Sequence, residues 1–436
     1  MKSRTLHCLL SGICLSAILF IGQATVIATA HAQTKASDKQ TRKVPTLRGK
    51  VYDQLSRAQT FADNNQLDEA FEVLADVEDK KSSMNSYEVA MLYNFYGFIY
   101  YNNEQSDKAL EYFNKVVAQQ PIPESFEQST VFTIAQLALM QGDYKTAIAN
   151  LERWEDLNVG PTPPKNLFIK AQAYYSDKQY EKAASFIDEA VTVKESAGMI
   201  PDEGWLILQR AVHYELKDNE KVKDIIVKMV KLFNAPKYWV QLGGMYGQLG
   251  MEKHQLAVME AAYQQNFLVK GADLFNLAQL YYLHKSPIKC ANVMQEAIND
   301  RLLEENLRNL KFLAQCLQLA KENEKAVPVL RTAAKLSPNG ELYAQLAQLF
   351  LNIDKFDEAI KNAELALDKG NLRNQGTMHL VLGMSYYNQQ NFAAAIDQLA
   401  KAEEYRETQK MAQQWQQFVN AEKLTIEALE AEIESD

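Results

Sequence analysis

The apolar positions of this chain follow a helical period. Apolar and small residues recur every three or four places within segments of about a dozen residues, and no strand-like alternation appears. Short polar stretches separate these segments, as at 63–66, 141–144 and 388–391. Gly and Pro are scarce, at 17 and 11 of 436 residues. The pattern predicts an all-α protein made of short helices joined by polar turns.

A repeat of 33 to 39 residues underlies the helical pattern. One central, usually small position recurs at Ala58, Gly97, Ala135, Ala171, Arg210, Gly243, Ala278, Ala314, Ala347 and Gly383. A second position recurs as Ala70, Ala109, Ala147, Ala183, Ala326, Ala359 and Ala395. Small residues at fixed places let two helices approach closely, so each repeat should be a helical hairpin. The copy with Arg210 and Val222 at these positions has the least secure register.

Two copies carry the repeat signature most fully. Residues 239–246 read W-x2-L-G-x2-Y, and the copy that starts at Tyr93 adds Ala109, Phe113 and Pro121 at the expected spacing. These motifs resemble the tetratricopeptide repeat, whose hairpins stack into a solenoid. We therefore predict an all-α, tetratricopeptide-type α-solenoid superhelix of about ten helix-turn-helix repeats. It should span residues 46–406.

The C-terminal segment 407–436 is predicted to be a capping helix. Trp415, Phe418, Leu424 and Leu429 offer an apolar face to the last repeat, and the glutamates face water. A solenoid needs such an end cap to stay soluble.

The stretch 160–164, with sequence GPTPP, is the conspicuous internal break. A proline cluster favours a stiff connection and a bend between the third and fourth repeats. A domain boundary is the alternative, but the repeat phase resumes at Leu167.

The N-terminus has the pattern of an export signal. Lys2 and Arg4 precede an apolar stretch that ends near Ile27, and Ala30-His31-Ala32 forms an A-x-A cleavage site. We predict that residues 1–32 are a cleaved signal peptide and that 33–45 is a polar, disordered segment. A retained signal anchor is the competing interpretation. The bacterial type of signal indicates the periplasm.

Cys290 and Cys316 remain after signal removal, since Cys8 and Cys14 lie within the predicted signal. We expect both to be small, buried packing residues. A disulfide between adjacent helices is the alternative, because export would permit oxidation.

Charge and motifs exclude several classes of function. The formal net charge of −9 argues against nucleic acid and anionic membrane surfaces as partners. His213, His254, His284 and His379 are dispersed, and no zinc, phosphate-loop or nucleophile-elbow motif is present. We therefore expect no catalytic residues, no metal site, no cofactor and no enzymatic activity.

The remaining candidate site is the inner face of the first helices. Residues one and four places after the central position, and three before it, share that face by helical spacing. Glutamines, tyrosines and phenylalanines recur there, and amide and phenol groups suit an extended polypeptide. The predicted binding groove consists of Gln136, Gln172, Gln279, Gln315, Tyr101, Tyr175, Tyr214, Tyr282, Phe132, Phe168 and Phe275.

Packing is the competing explanation of the same residues. Aromatic residues of such repeats often wedge between neighbouring helices, and glutamine is an ordinary helix-surface residue. Lys311 and Arg308 lie in one repeat without the asparagines of a carboxylate clamp, which disfavours recognition of an acidic C-terminal tail.

The exported all-repeat organisation and the block at 245–251 resemble periplasmic tetratricopeptide-repeat proteins associated with TonB–ExbB–ExbD energy-transduction systems of gamma-proteobacteria. The resemblance implies a scaffold that contacts periplasmic parts of a TonB/ExbB/ExbD complex and supports uptake across the outer membrane, for instance of iron–siderophore complexes. A scaffold for envelope assembly or polysaccharide export, binding glycan or lipoprotein, is the alternative.

Overall fold

The computed structural model describes residues 42–435, and this part of the chain is all-α. It contains 21 α-helices and one short 3-10 turn at Lys81–Ser83, and no strand occurs within it. The predicted fold class is confirmed. The predicted signal peptide 1–32 and residues 33–41 lie outside the described residues.

The helices divide between two compact units, unit 1 up to Phe233 and unit 2 from Asn234. In the described part of the chain, each unit contains five helical hairpins, with odd-numbered first helices and even-numbered second helices, and unit 2 ends with one additional helix. Unit 1 contains α1 (Gly49–Asp63), α2 (Leu67–Glu78), α3 (Ser86–Asn102), α4 (Ser106–Val117), α5 (Glu124–Gln141), α6 (Tyr144–Leu157), α7 (Pro164–Ser176), α8 (Tyr180–Ser196), α9 (Glu203–Glu215) and α10 (Asn219–Phe233). Unit 2 contains α11 (Pro236–Gln248), α12 (Glu252–Gln264), α13 (Gly271–Leu283), α14 (Pro287–Asn299), α15 (Leu307–Leu319), α16 (Asn323–Leu336), α17 (Glu341–Leu351), α18 (Phe356–Lys369), α19 (Gln375–Asn388), α20 (Phe392–Glu403) and α21 (Gln409–Ser435).

The central positions of the repeat lie where the two helices of a hairpin touch. A Cβ atom at Gly97 would lie 2.7 Å from the Phe113 ring, and one at Gly243 would lie 2.6 Å from the Met259 sulfur. Ala58 and Ala135 are fully buried. The small residues are therefore required by close helix approach, as the sequence predicted.

A residue with positive φ closes every hairpin, always seven places after the central position. These residues are Asn65, Glu104, Gly142, Lys178, Lys217, Gly250, Lys285, Lys321, Asp354 and Gln390. A left-handed residue after a helix lets the chain reverse while its amide still bonds to the preceding turn. Lys217 keeps this spacing from Arg210, and Val222 is buried. The weakest copy is therefore in the predicted register.

Two arginines attach the start of the described chain to unit 1. Arg42 Nη1 lies 2.5 Å from Glu127 Oε2, although Arg42 falls in the segment expected to be disordered. Arg153 of α6 contacts the other oxygen of Glu127 at 2.5 Å. Arg48 Nε donates to the buried Glu88 carboxylate at 2.6 Å. Arg42 and Arg48 are therefore both held by ion pairs to unit 1.

The proline-rich connection between α6 and α7 lies within unit 1. Asn158 donates from Nδ2 to the Gly160 carbonyl at 2.7 Å, and α7 begins with Pro164 in its first turn. Proline is favoured there because its missing N–H has no partner inside the helix. The compact units divide at Phe233 rather than at this connection.

Cys290 of α14 and Cys316 of α15 form a disulfide, so the expectation of two free packing residues is wrong. Both residues are also fully buried. Their Cα atoms lie 5.8 Å apart, within the range that a disulfide requires. Sequence spacing could not decide this, because it does not fix the distance between facing Cβ atoms.

Helix α21 packs through its first half. Ala412 and Val419 are fully buried in a cluster with Leu399 and Ala402 of α20. Trp415 contacts Tyr387, but Phe418 and Leu424 are 49% and 66% exposed. The prediction that Leu424 faces the last repeat is wrong, because its side chain points to solvent. The side chain of Leu429 lies outside the described residues.

Candidate protein-binding surface

The predicted groove residues are distributed over both units, and each unit carries its own set. The residues of unit 1 are Tyr101, Phe132, Gln136, Phe168, Gln172, Tyr175 and Tyr214. Those of unit 2 are Phe275, Gln279, Tyr282 and Gln315. All of them stand on first helices, as the repeat register required.

The three phenylalanines pack against other rings. Phe132 meets Trp154 of the same hairpin at 5.8 Å between ring centroids. Phe168 stacks on Trp205 of the following first helix at 5.5 Å. Phe275 meets Phe312 at 5.2 Å. These contacts favour the packing explanation for the phenylalanines.

The tyrosines differ in exposure. Tyr175 meets Tyr180 at 5.7 Å, and burial together with the nearby Glu215 charge raises the pKa of its phenol. Tyr282 meets Phe312 at 5.6 Å between ring centroids with the rings tilted, and Tyr101 is half-buried. Tyr214 is 58% exposed. These tyrosines do not form one uniform row of exposed rings.

The glutamines of unit 2 are exposed, whereas Gln136 of unit 1 is not. Gln136 is only 8% exposed, so its amide is largely closed to a partner, and the prediction that it faces an open groove is wrong. Gln172 is half-buried. Gln279 and Gln315 are exposed on α13 and α15, one repeat apart. Open glutamines are thus found on these two neighbouring helices.

An exposed leucine lies beside each of these two exposed glutamines. Leu283 and Leu319 follow Gln279 and Gln315 by four residues, so each pair shares one side of its helix. The leucines are 66% and 49% exposed. Together with Tyr282 they line an open cavity of about 530 Å³. We name Gln279, Tyr282, Leu283, Gln315 and Leu319 the glutamine–leucine surface.

The leucines of this surface were not among the predicted residues. They stand five places after the central position, and the sequence analysis considered only the places one and four after it and three before it. The signal was available, because Leu occurs there in two consecutive repeats and the other copies, apart from the one with Met140, have polar residues such as Asp63 and Asn352. An exposed pair of large apolar residues marks an interaction surface better than a single one does.

Positive groups border the glutamine–leucine surface. Lys285 lines the cavity, and the Arg308 guanidinium lies 4.7 Å from the centroid of the Phe275 ring. Lys311 is exposed on α15. This side of unit 2 therefore suits a segment without a dense run of positive charge.

Within residues 42–435, no group of three or more His, Cys, Asp and Glu side chains is arranged to hold a metal ion. In the same range, no helix has the length and hydropathy that a bilayer span requires.

Ten hairpins in one register, with a helix packed on the last, define an α-solenoid class of protein. Models of the tetratricopeptide repeat match residues 90–122, 132–199 and 345–410. These segments are tetratricopeptide repeats, and the chain is a tetratricopeptide-repeat protein. No curated protein matches the chain.

The solved structures to which the chain is similar include three repeat proteins. MamA from Desulfovibrio magneticus RS-1 is 18% identical, with a TM-score of 0.33, and the match covers 40% of this chain and 93% of MamA. A tetratricopeptide repeat protein from Parabacteroides merdae is 12% identical, with a TM-score of 0.32, over 59% of this chain and 98% of its own. YrrB, described as having an unusual peptide-binding site, is 16% identical, with a TM-score of 0.35, over 43% and 96%. Identities this low say nothing about what this chain binds.

Proposed function

We propose that this tetratricopeptide-repeat protein is an exported scaffold that binds an extended polypeptide segment at the glutamine–leucine surface of unit 2. Tetratricopeptide repeats are a protein-interaction fold, and stacked repeats present extended binding surfaces. One observation carries the proposal: two neighbouring first helices expose the same glutamine and leucine pair, and the two leucines line one cavity. The amides can pair with a peptide backbone, and the leucines can hold an apolar side chain.

Two observations support the exported location. The N-terminal sequence has a basic start, an apolar stretch and an A-x-A site, as a signal peptide does. The disulfide between Cys290 and Cys316 is of the kind that persists in oxidising compartments such as the periplasm. We therefore propose a periplasmic protein that starts at Gln33 after cleavage. Mass spectrometry of the protein from gently lysed, alkylated cells should find that N-terminus and a bonded cysteine pair. An intact leader or alkylated thiols would contradict this location.

The proposed partner is a periplasmic part of a TonB/ExbB/ExbD complex, and it rests on the family resemblance of the sequence. In that role the scaffold would support TonB-dependent uptake across the outer membrane, for example of iron–siderophore complexes. The positive groups near Leu283 predict that a neutral, proline-containing stretch contacts this surface, because a basic stretch would be repelled by Lys285.

Binding of the TonB periplasmic linker, measured by fluorescence anisotropy, tests both the surface and the partner. The double variant Leu283→Ser, Leu319→Ser should weaken binding at least about tenfold, because anchors of an interface contribute about 1–2 kcal/mol each. The matched control is Leu336→Ser, Leu365→Ser, which alters two exposed leucines on second helices of the same unit. The control should bind like the parent.

The outcomes separate the two parts of the proposal. Equal affinity of both double variants would place the linker elsewhere on the protein. Failure of the parent to bind the linker would remove the TonB partner. The surface itself is then tested in cells with a photo-crosslinker at Leu283, where capture of no extended segment would contradict it.

A further inference from the structure

A larger cleft lies in unit 2 between the second helices α14 and α16. Its volume is about 870 Å³, within the usual size of a ligand site. Leu310, Leu313 and Leu317 of α15 line its floor and are buried. Ala291 of α14 and Val329 of α16 line its walls. The cleft shares no residue with the glutamine–leucine surface.

The corresponding place in unit 1 is filled by aromatic rings. Counted from the central position, Tyr93, Tyr96 and Tyr100 of α3 occupy the places of the three floor leucines. Phe71 of α2 and Tyr112 of α4 occupy the places of Ala291 and Val329. Tyr96 and Tyr112 stack at 4.6 Å, and Phe71 meets Tyr100 at 4.9 Å. The five aromatic residues at this place in unit 1 thus correspond to smaller aliphatic residues at the cleft in unit 2.

The cations that contact these rings have counterparts at the cleft. In unit 1, the Lys108 ammonium lies 5.0 Å from the Tyr100 ring centroid, and that of Lys81 lies 4.8 Å from the Tyr93 centroid. The same repeat positions hold Lys325 and Arg301, and both line the cleft. Lys325 also pairs with Glu322 at 2.9 Å on the surface. A cation over an aromatic face is favourable by about 0.5–1 kcal/mol at an exposed site.

Polar groups on the rim add hydrogen-bonding capacity. Asn292 and Gln295 of α14 are exposed at the cleft, and their amides can pair with the backbone on either side of a bound side chain. Glu304 and Glu305 also line it, and carboxylates can accept from a phenol hydroxyl. A carboxylate plays this role in unit 1, where Tyr174 Oη donates to Glu152 Oε1 at 2.8 Å.

We propose that the cleft between α14 and α16 binds a tyrosine side chain presented by a partner polypeptide. The ring enters between Ala291 and Val329 and rests on the leucine floor, where unit 1 places rings of its own. Lys325 and Arg301 then lie over the ring, and the amides of the rim bind the flanking backbone. This site is independent of the surface proposed above, so the two can be tested separately.

Titration with N-acetyl-tyrosine amide tests the cleft in the full mature chain. Methyl groups of Leu310, Leu313 and Val329 should shift in the NMR spectrum, and those of Leu283 and Leu319 should not. N-acetyl-leucine amide is the matched apolar probe, and it should bind more weakly because it offers no ring to the cations. p-Cresol carries the same ring without peptide groups, and it should also bind more weakly than N-acetyl-tyrosine amide.

Substitutions connect the binding to the cleft. Val329→Tyr supplies the ring found in unit 1 and should reduce probe affinity at least about tenfold, with the melting temperature unchanged or higher. Lys325→Met should weaken binding about two- to fivefold through loss of the cation. Lys335→Met, an exposed lysine of α16 outside the cleft, is the control and should leave affinity unchanged. If Val329→Tyr does not fold, Ala291→Phe replaces it.

Three results would overturn the proposal. Shifts that persist unchanged in the filled variant would place the probe elsewhere. Equal binding of the leucine and tyrosine amides would remove the aromatic requirement. Equal binding of p-cresol and N-acetyl-tyrosine amide would indicate a site for free aromatic compounds instead of a polypeptide.

Discussion

Left-handed residues fix where each hairpin turns, and most of them are not glycine. Gly142 and Gly250 are the glycines among the ten hairpin positions, and residues such as Lys178 hold a φ near 60° there. A side chain in this conformation costs about 1 kcal/mol or more. The repeat tolerates that cost because the amide hydrogen bonds of the turn require the conformation.

Gly142→Ala should therefore lower the free energy of unfolding by about 1 kcal/mol, because alanine is strained at the φ of +82°. Gly204→Ala is the contrasting change, since Gly204 lies inside α9 with open space around it. It should raise stability by up to about 1 kcal/mol through helix propensity. Urea unfolding of both variants measures these changes in the free energy of unfolding. Equal changes for the two variants would argue against strain at Gly142.

Glu88 is a buried carboxylate whose charge is held by its partners. Asn85 and Glu88 form a capping box at the start of α3, and Arg48 donates to Glu88. The hydrogen bonds from Arg48 are the main cause that lowers the Glu88 pKa to about 2, with the amides of Asn85 and Arg48 contributing. The charged form thus joins the N-terminal end of α1 to the start of α3.

A lowered pKa in the folded state means that Glu88 stabilises the protein above its unfolded pKa. This contribution should be lost as pH falls from about 4.5 to about 2. Glu88→Gln should lower stability near neutral pH by about 1–3 kcal/mol, because hydrogen bonds to the charged group are lost. The difference in unfolding free energy between this variant and the parent should become smaller toward pH 2. Exposed Glu404→Gln is the control, and a constant gap for Glu88→Gln across pH would contradict the linkage.

At the scale of elements, the disulfide joins a second helix to the first helix of the next repeat. It links α14 to α15 across a sequence separation of 26, next to the floor and wall of the α14–α16 cleft. Most contacts between these two helices are packing contacts of small and aliphatic residues. The disulfide stabilises the fold in a different way, because it restrains the unfolded chain.

Cys290→Ala, Cys316→Ala should lower the free energy of unfolding by about 3 kcal/mol, from the loss of loop restraint. Alanine fits both sites, so little of the change should come from a cavity. Reduction of the parent with dithiothreitol should produce the same loss in thermal unfolding and should not affect the variant. Reduction without effect on the parent would show that the link does not stabilise the fold.

At the scale of the molecule, the described chain consists of two units that each have their own buried core. Leu277, Leu313 and Leu346 belong to one large cluster within unit 2, and Leu74 and Ile134 belong to a separate cluster within unit 1. Repeat stacks gain stability mainly between neighbouring repeats, so a stack of five hairpins can fold without distant contacts.

The fragment 234–436 should therefore be helical and unfold cooperatively, because it contains its core cluster and α21 at its C-terminal end. Circular dichroism during thermal unfolding is the measurement. The same fragment lacking 409–436 is the comparison, and it should be less stable because Leu399 and Ala402 lose their cover. A fragment without a cooperative transition would show that unit 2 depends on the rest of the chain.

Much of the fold could be predicted from the sequence because local packing repeats. The close approach of the two helices at Gly97 and Gly243 needs a small residue at a fixed place. The register of the repeat can therefore be recognised from the recurrence of small residues. The copy with Arg210 and Val222 lacks these small residues, so the positive φ of Lys217 in the structure was needed to establish its register. The binding surface was less predictable: Gln136 and Gln279 have the same register position, but their exposure differs because it depends on the neighbouring helices.

The sequence by itself determined the all-α class, the repeat and its register, because these depend on contacts between residues close in the chain. Tertiary structure decided the bond between Cys290 and Cys316, the exposure of Leu283 and Leu319, and the open cleft beside Val329. Those features depend on distances between side chains from separate helices. Periodicity can place such side chains on the same side of a stack, but only packing sets how far apart they lie.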